Sequence, residues 1–197
     1  MRLLIFTLAS TLSVFLGAAS GASDTPAPEA ANANSAEQIA KSAADLIRDL
    51  QESAALGSPR ILSISLTPEQ TSLTPNIRLL ERVEKWLAVN GEALANAMPV
   101  SDMTLPIGWL VTLVGEDTYL FPPAMQPRED VILRIPAHQI DTVVPYVLGQ
   151  QECEVTVKRV EEPGDDEPRA FMQFTIPAEA WQNAPEGLPV IKLINAQ

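Results

Sequence analysis

The chain has one histidine and one cysteine, and the few residues able to do chemistry are quickly weighed. His138 stands three residues before Asp141. Residues three apart face alike on a helical turn, so the two would form an acid–base pair if that segment were helical. On a loop after Pro136, His138 is simply a surface imidazole. Cys153 would need a nearby base and partial exposure to act as a nucleophile. It falls instead on the inward parity of an alternating run, where it reads as a buried, inert thiol. Glu161-Glu-Pro-Gly-Asp-Asp-Glu-Pro168 carries five acids and no base. Crowded carboxylates on a turn can hold calcium, but this spacing fits no EF-hand-type loop. A solvated acidic tip flanked by Lys158, Arg159 and Arg169 accounts for it. Gly-x-Ser-x-Gly, Ser-x-x-Lys, His-Glu-x-x-His and a glycine-rich phosphate loop are all missing. The sequence therefore nominates no catalytic, cofactor-binding or metal-binding residue and no cofactor.

Composition narrows the classes further. The 197 residues hold 13 Lys and Arg against 25 Asp and Glu, a formal net charge of -12, and 46% are hydrophobic. That is enough apolar material for a packed core. One Cys forms no intramolecular disulfide, and one His with one Cys builds no ordinary zinc site. An acidic chain without a basic stripe does not neutralise phosphates, which excludes nucleic acid as a natural partner.

The N-terminus reads as an address. Met1-Arg2 begins positively, Leu3 to Gly17 is apolar, and small residues follow from Ala18 to Ser23. This is the three-part pattern of a secretory signal peptide over residues 1–22, cleaved after Ala22. The apolar run is too short to span a bilayer, so the expectation is an exported protein, periplasmic or secreted, with no transmembrane helix after cleavage. Residues 23–34 hold no large apolar side chain and read as a flexible linker.

Residues 35–100 read as a helical segment with one strand. Ser35 with Gln38 forms a capping-box pattern, and Ile39, Ala43, Leu46, Ile47 and Leu50 repeat on one helical face. Gly57 and Pro59 end that helix. Arg60 to Leu66 alternates as a strand. Thr74-Pro75 opens a second amphipathic helix whose apolar face is Leu79, Leu80, Val83, Trp86 and Leu87. Trp86 at this spacing is a core anchor.

Residues 101–197 change texture and read as a β-sandwich. Trp109–Val114 and Thr118–Phe121 form a hairpin across a three-residue turn, Gly115-Glu116-Asp117. Asp130–Ile135, Glu152–Val160 and a strand carrying Ala170, Met172, Phe174 and Ile176 on one face follow. Pro189–Asn195 is apolar on both faces, as a buried strand would be. Ile135-Pro136-Ala137 recurs as Ile176-Pro177-Ala178 at a constant offset. In each copy Pro stops ladder pairing, and a turn drops an apolar residue, Ile140 or Trp181, back onto the core. The two copies read as equivalent crossovers between sheets.

The run Phe174-Thr-Ile-Pro-Ala-Glu-Ala-Trp181, with Ala184-Pro-Glu-Gly187 and Val190-Ile-Lys-Leu193, resembles the last two strands of bacterial extracellular immunoglobulin-like modules. The resemblance covers about a third of the C-terminal part and implies architecture only, since the paired Cys of the antibody pattern is lacking. The fold class expected is thus α+β, with N-terminal amphipathic helices followed by an antiparallel, immunoglobulin-like β-sandwich. The function expected is a non-catalytic interaction or adaptor module contacting another envelope or extracellular protein. Two alternatives stand beside it. One is an exported hydrolase using a carboxylate pair, since 25 acids offer many pairs. The other is a carrier of a small apolar ligand held between helices and sheet.

Overall fold

The computed structural model describes residues 42–58, 75–140, 142–164 and 168–195. The export segment, the linker, the helix start at Ser35, the 60–66 strand, Asp141 and residues 165–167 lie outside the described residues.

Helix α1 spans Ala43–Ala55. Its cap is Ser42: the Ser42 hydroxyl accepts from the Asp45 amide at 3.1 Å, and the Asp45 carboxylate accepts from the Ser42 amide at 2.9 Å. This reciprocal pair satisfies two donors that the first turn leaves without partners, and so places the start within the described residues at Ser42 and Asp45. Helix α2 spans Pro75–Asn90, with Pro at the first position where its missing N–H costs nothing. A 3-10 turn, Gly91–Ala93, follows.

The rest is mostly β. The strands are β1 (Met98–Pro99), β2 (Leu110–Val114), β3 (Asp117–Phe121), β4 (Val131–Pro136), β5 (Val143–Val147), β6 (Thr156–Glu162), β7 (Arg169–Ile176) and β8 (Ile191–Asn195), with a short helix α3 (Glu179–Asn183) before β8. They form two open antiparallel sheets, a five-stranded one in the order β1-β2-β3-β8-β5 and a three-stranded one in the order β4-β7-β6. The architecture is therefore α+β with antiparallel sheets.

One apolar cluster lies between the sheets: Val111, Leu120, Val143, Ile191 and Leu193 of the larger sheet meet Leu133, Ile135, Phe174 and Ile176 of the smaller one. A second cluster covers the opposite face of the larger sheet, where Ala43, Leu46, Ile47, Val83 and Trp86 of the helices meet Tyr119, Phe121, Leu188 and Val190. The layers are thus helices, five strands, three strands. Strand parity sends Tyr119 and Phe121 of β3 to the helix side and Leu120 between the sheets, where Ile191 and Leu193 of β8 also point.

Several expectations are corrected. The β2–β3 hairpin closes through two residues, since Val114 pairs with Asp117. Gly115 has φ +64°, the positive value that a tight primed turn demands at its first central position. Strand β5 was not expected, because Pro145 sits at its centre. It is tolerated because β5 is an edge strand, where a missing N–H leaves no ladder bond unmade. Strand β1 is likewise unheralded, having only two residues. The run around Cys153 pairs only from Thr156, although Cys153 and Val155 are buried as their parity requires. Ile194 is exposed and pairs with exposed Val144 across the β5–β8 ladder, outside both buried clusters.

The recurrence of Ile-Pro-Ala has a plain structural meaning. Chain leaves the smaller sheet after β4 to enter the larger as β5, and leaves it again after β7 to enter the larger as β8. Strands β4 and β7 pair with each other, and so do β5 and β8. Trp181 is buried in the cluster between the sheets, and Ile140 packs against it.

Candidate functional site

Among the described residues, those singled out by chemistry gather into no cluster. His138 is exposed on the turn after β4, and Asp141 lies outside the described residues. Cys153 is buried between the sheets, and burial, with Glu179 and Asp130 adding to it, pushes its thiol above the ordinary range. That is the environment of an inert thiol. In the acidic hairpin, Glu162 is ion-paired to Arg134 and Glu161 to Arg159. Among the described residues no three His, Cys, Asp or Glu side chains gather so as to hold a metal ion. Among them, too, no helix is long and apolar enough to cross a membrane.

Two polar arrangements that the sequence did not announce do form. The first centres on Lys192, in the middle of β8. Its cross-strand neighbours are Tyr119 on β3 and Tyr146 on β5. The Lys192 ammonium lies 2.9 Å from Asp117 Oδ2, 3.4 Å from Glu92 Oε1, and 5.3 Å from the centroid of the Tyr119 ring. The Tyr119 hydroxyl donates to the same Glu92 oxygen at 3.3 Å. Burial alone would lower the ammonium, but Tyr119 and Asp117 outweigh it and hold Lys192 above the ordinary lysine range. Burial raises the Tyr119 hydroxyl as well. Lys192 is thus a fixed cation holding two carboxylates, one from the 3-10 turn after α2 and one from β3. It ties the helical layer to the sheet, and it also places two acids beside each other.

The second is the outer face of the three-stranded sheet. Register sets its rows: Arg134, Gln173 and Lys158 lie side by side across β4, β7 and β6, and Pro136, Phe171 and Val160 form the next row. Ile132 and Thr175 follow on one flank, with Arg169 opposite Glu162 on the other. Arg134 donates from Nε to Gln173 Oε1 at 3.0 Å and is ion-paired to Glu162. Phe171 and Val160 belong to neither buried cluster, and Ile132 is 58% exposed. A polar row, with Arg134 and Lys158 exposed and Gln173 buried between them, thus lies parallel to a half-buried apolar row on the outer face.

A further cation, Arg48 of α1, bridges two loops, donating to the Pro122 carbonyl at 3.1 Å, to the Gln51 side chain at 3.2 Å and to the Gly108 carbonyl. Burial draws its guanidinium down, with Glu52 opposing. Its work is to position the loop before β2. The helical periodicity of the segment gives no hint of this.

An α+β chain with two open antiparallel sheets is the class these features define. No family model matches the chain, and no curated protein matches it. Solved structures do. An α-L-fucosidase from Vibrio sp. strain EJY3 is similar with TM-score 0.58 at 21% identity, over 80% of this chain and 26% of that one. An α-fucosidase from Thermotoga maritima is similar with TM-score 0.53 at 15% identity, over 78% and 35% respectively. A Thermotoga maritima α-L-fucosynthase, solved with a fucosyl disaccharide azide, gives TM-score 0.55 at 14% identity, over 83% and 36%. This chain therefore spans about a quarter to a third of the length of those proteins. At these identities the likeness is one of fold.

Proposed function

We propose that this chain is an exported, non-catalytic interaction or adaptor module whose partners are glycan-bearing molecules of the envelope or the extracellular space. The observation that carries the reading is the outer face of the three-stranded sheet, where apolar Phe171, Val160 and Ile132 stand beside Arg134, Gln173 and Lys158. Ile132 is exposed and Phe171 and Val160 half-exposed beside the exposed cations Arg134 and Lys158, and partly open apolar surface bordered by charged donors is what a binding face offers. The likeness to α-L-fucosidases supports the glycan setting. The signal-peptide pattern of residues 1–22 and the linker pattern of 23–34 support export. The immunoglobulin-like reading of the C-terminal strands belongs to the same proposal, as the platform that presents the face.

A hydrolase is the second reading, favoured by Glu92 and Asp117 meeting on Lys192. One experiment separates the two. The full chain is assayed for binding to an immobilised glycan panel and for hydrolysis of 4-nitrophenyl α-L-fucoside. Binding without release of nitrophenol is expected. Turnover that disappears in Asp117→Asn or Glu92→Gln would replace the module by the enzyme.

A further inference from the structure

We propose that the outer face of the three-stranded sheet binds a carboxylated polysaccharide, a polymer of uronic acids. This rests on the glycan-module reading above and names the ligand class of that surface. The argument begins with charge. The chain carries a net charge of -12, yet among the described residues the paired rows of this face set three cations, Arg134, Lys158 and Arg169, against one carboxylate, Glu162. Arg134 already holds a carboxylate there, that of Glu162, while Gln173 accepts from its Nε. Lys158, in the same row, has no ion-pair partner among the described residues. An ammonium with three donors suits a carboxylate brought by a ligand.

The apolar row narrows the class. Neighbouring strands stand about 4.8 Å apart and successive residues on one face about 7 Å apart, so the Phe171 row runs roughly 7 Å from the cation row. A uronic acid has an apolar ring face and a carboxylate on its rim. The aromatic face of Phe171, flanked by Pro136 and Val160, takes the ring, and Lys158 and Arg134 take the rim. A flexible acidic peptide would use the cations and have no need of the Phe171 row. Repulsion from the remainder of the chain makes the binding modest and salt-sensitive.

The test is affinity electrophoresis of the full chain through polygalacturonate, with dextran sulfate, neutral dextran and poly-L-glutamate as comparisons. Retardation by polygalacturonate is expected, falling with added salt and absent on dextran. Phe171→Ala and the surface variant Lys158→Glu should each weaken the apparent affinity about tenfold while keeping the wild-type circular dichroism. Retardation by poly-L-glutamate or dextran sulfate alone, or polygalacturonate binding that neither variant weakens, overturns the proposal. If a neutral glycan of the panel binds and both variants bind it equally, the module reading survives and this one falls. If no glycan binds at all, both fall.

Discussion

The indole nitrogen of Trp86 donates to the carbonyl of Leu188 at 2.8 Å, joining α2 to the turn that leads into β8 across 102 residues of sequence. The second core tryptophan, Trp181, is buried between the sheets, and its indole nitrogen finds no hydrogen-bond partner among the described residues. The two side chains fill different clusters and stand in opposite hydrogen-bonding circumstances.

Trp86→Phe therefore removes volume and leaves the Leu188 carbonyl without its donor, whereas Trp181→Phe removes volume together with an N–H that had no partner. Urea denaturation should show Trp86→Phe losing about 2–3 kcal/mol. Trp181→Phe should lose about 1 kcal/mol less. Equal losses would mean that the Trp86 bond contributes nothing net.

Gly149 has φ +71°, and a Cβ placed there would collide with Cγ1 of Val89 on α2. Gly149→Ala should cost at least about 2 kcal/mol, from the left-handed backbone and the clash together. Adding Val89→Ala should restore part of that loss by relieving the clash, leaving the backbone share. A double variant no more stable than Gly149→Ala would remove the clash from the explanation.

Lys192→Met leaves Asp117 and Glu92 facing each other without the cation between them. A loss of about 2 kcal/mol is expected, since breaking a half-buried charged pair strands its partner. The accompanying change should be looser packing of the 3-10 turn on β3, seen as faster amide exchange at Ala93 and Leu94. Unchanged exchange there would mean that Lys192 does not tie the two layers.

Cys153, Tyr119 and Lys192 all have folded pKa values raised above their unfolded ones. Their contribution is fully present below the unfolded values and is lost as pH rises through the folded ones, because the native state then keeps protons that the unfolded chain has released. Stability should be level near pH 7 and begin to fall above about pH 8.5, where an unfolded thiol ionises, with a steeper fall above about pH 10. Urea midpoints measured across this range check it. Cys153→Ala should remove the earlier part of the decline and Lys192→Met part of the later one.

Local pattern announced much of this molecule. The alternation that buried Phe174 and Ile176, the helical spacing that buried Val83 and Trp86, and the Pro75 start of α2 are readable because each rests on a period or a backbone constraint carried by adjacent residues. The repeated Ile-Pro-Ala could be recognised as two equivalent crossovers for the same reason. The Ser42 cap was less legible: its partner three residues on is Asp45 where the capping-box pattern has Glu or Gln, yet the reciprocal bonds form. Strand β5 was hidden by Pro145, whose cost depends on whether a strand lies at an edge.

Neither polar arrangement could be found along the chain. Arg134, Gln173 and Lys158 come from three strands, and Glu92, Asp117, Tyr119 and Lys192 from a turn and two strands, so their meeting is a property of sheet order and register. Lys192 in particular sits in a run that reads as apolar on both faces. The sequence alone determined most of the stretches that would be helix or strand and, in these, which side would shun water, because those follow from neighbours and their spacing. The tertiary structure alone decided which charges meet and which face stays open, because those depend on long-range pairing that no local period encodes.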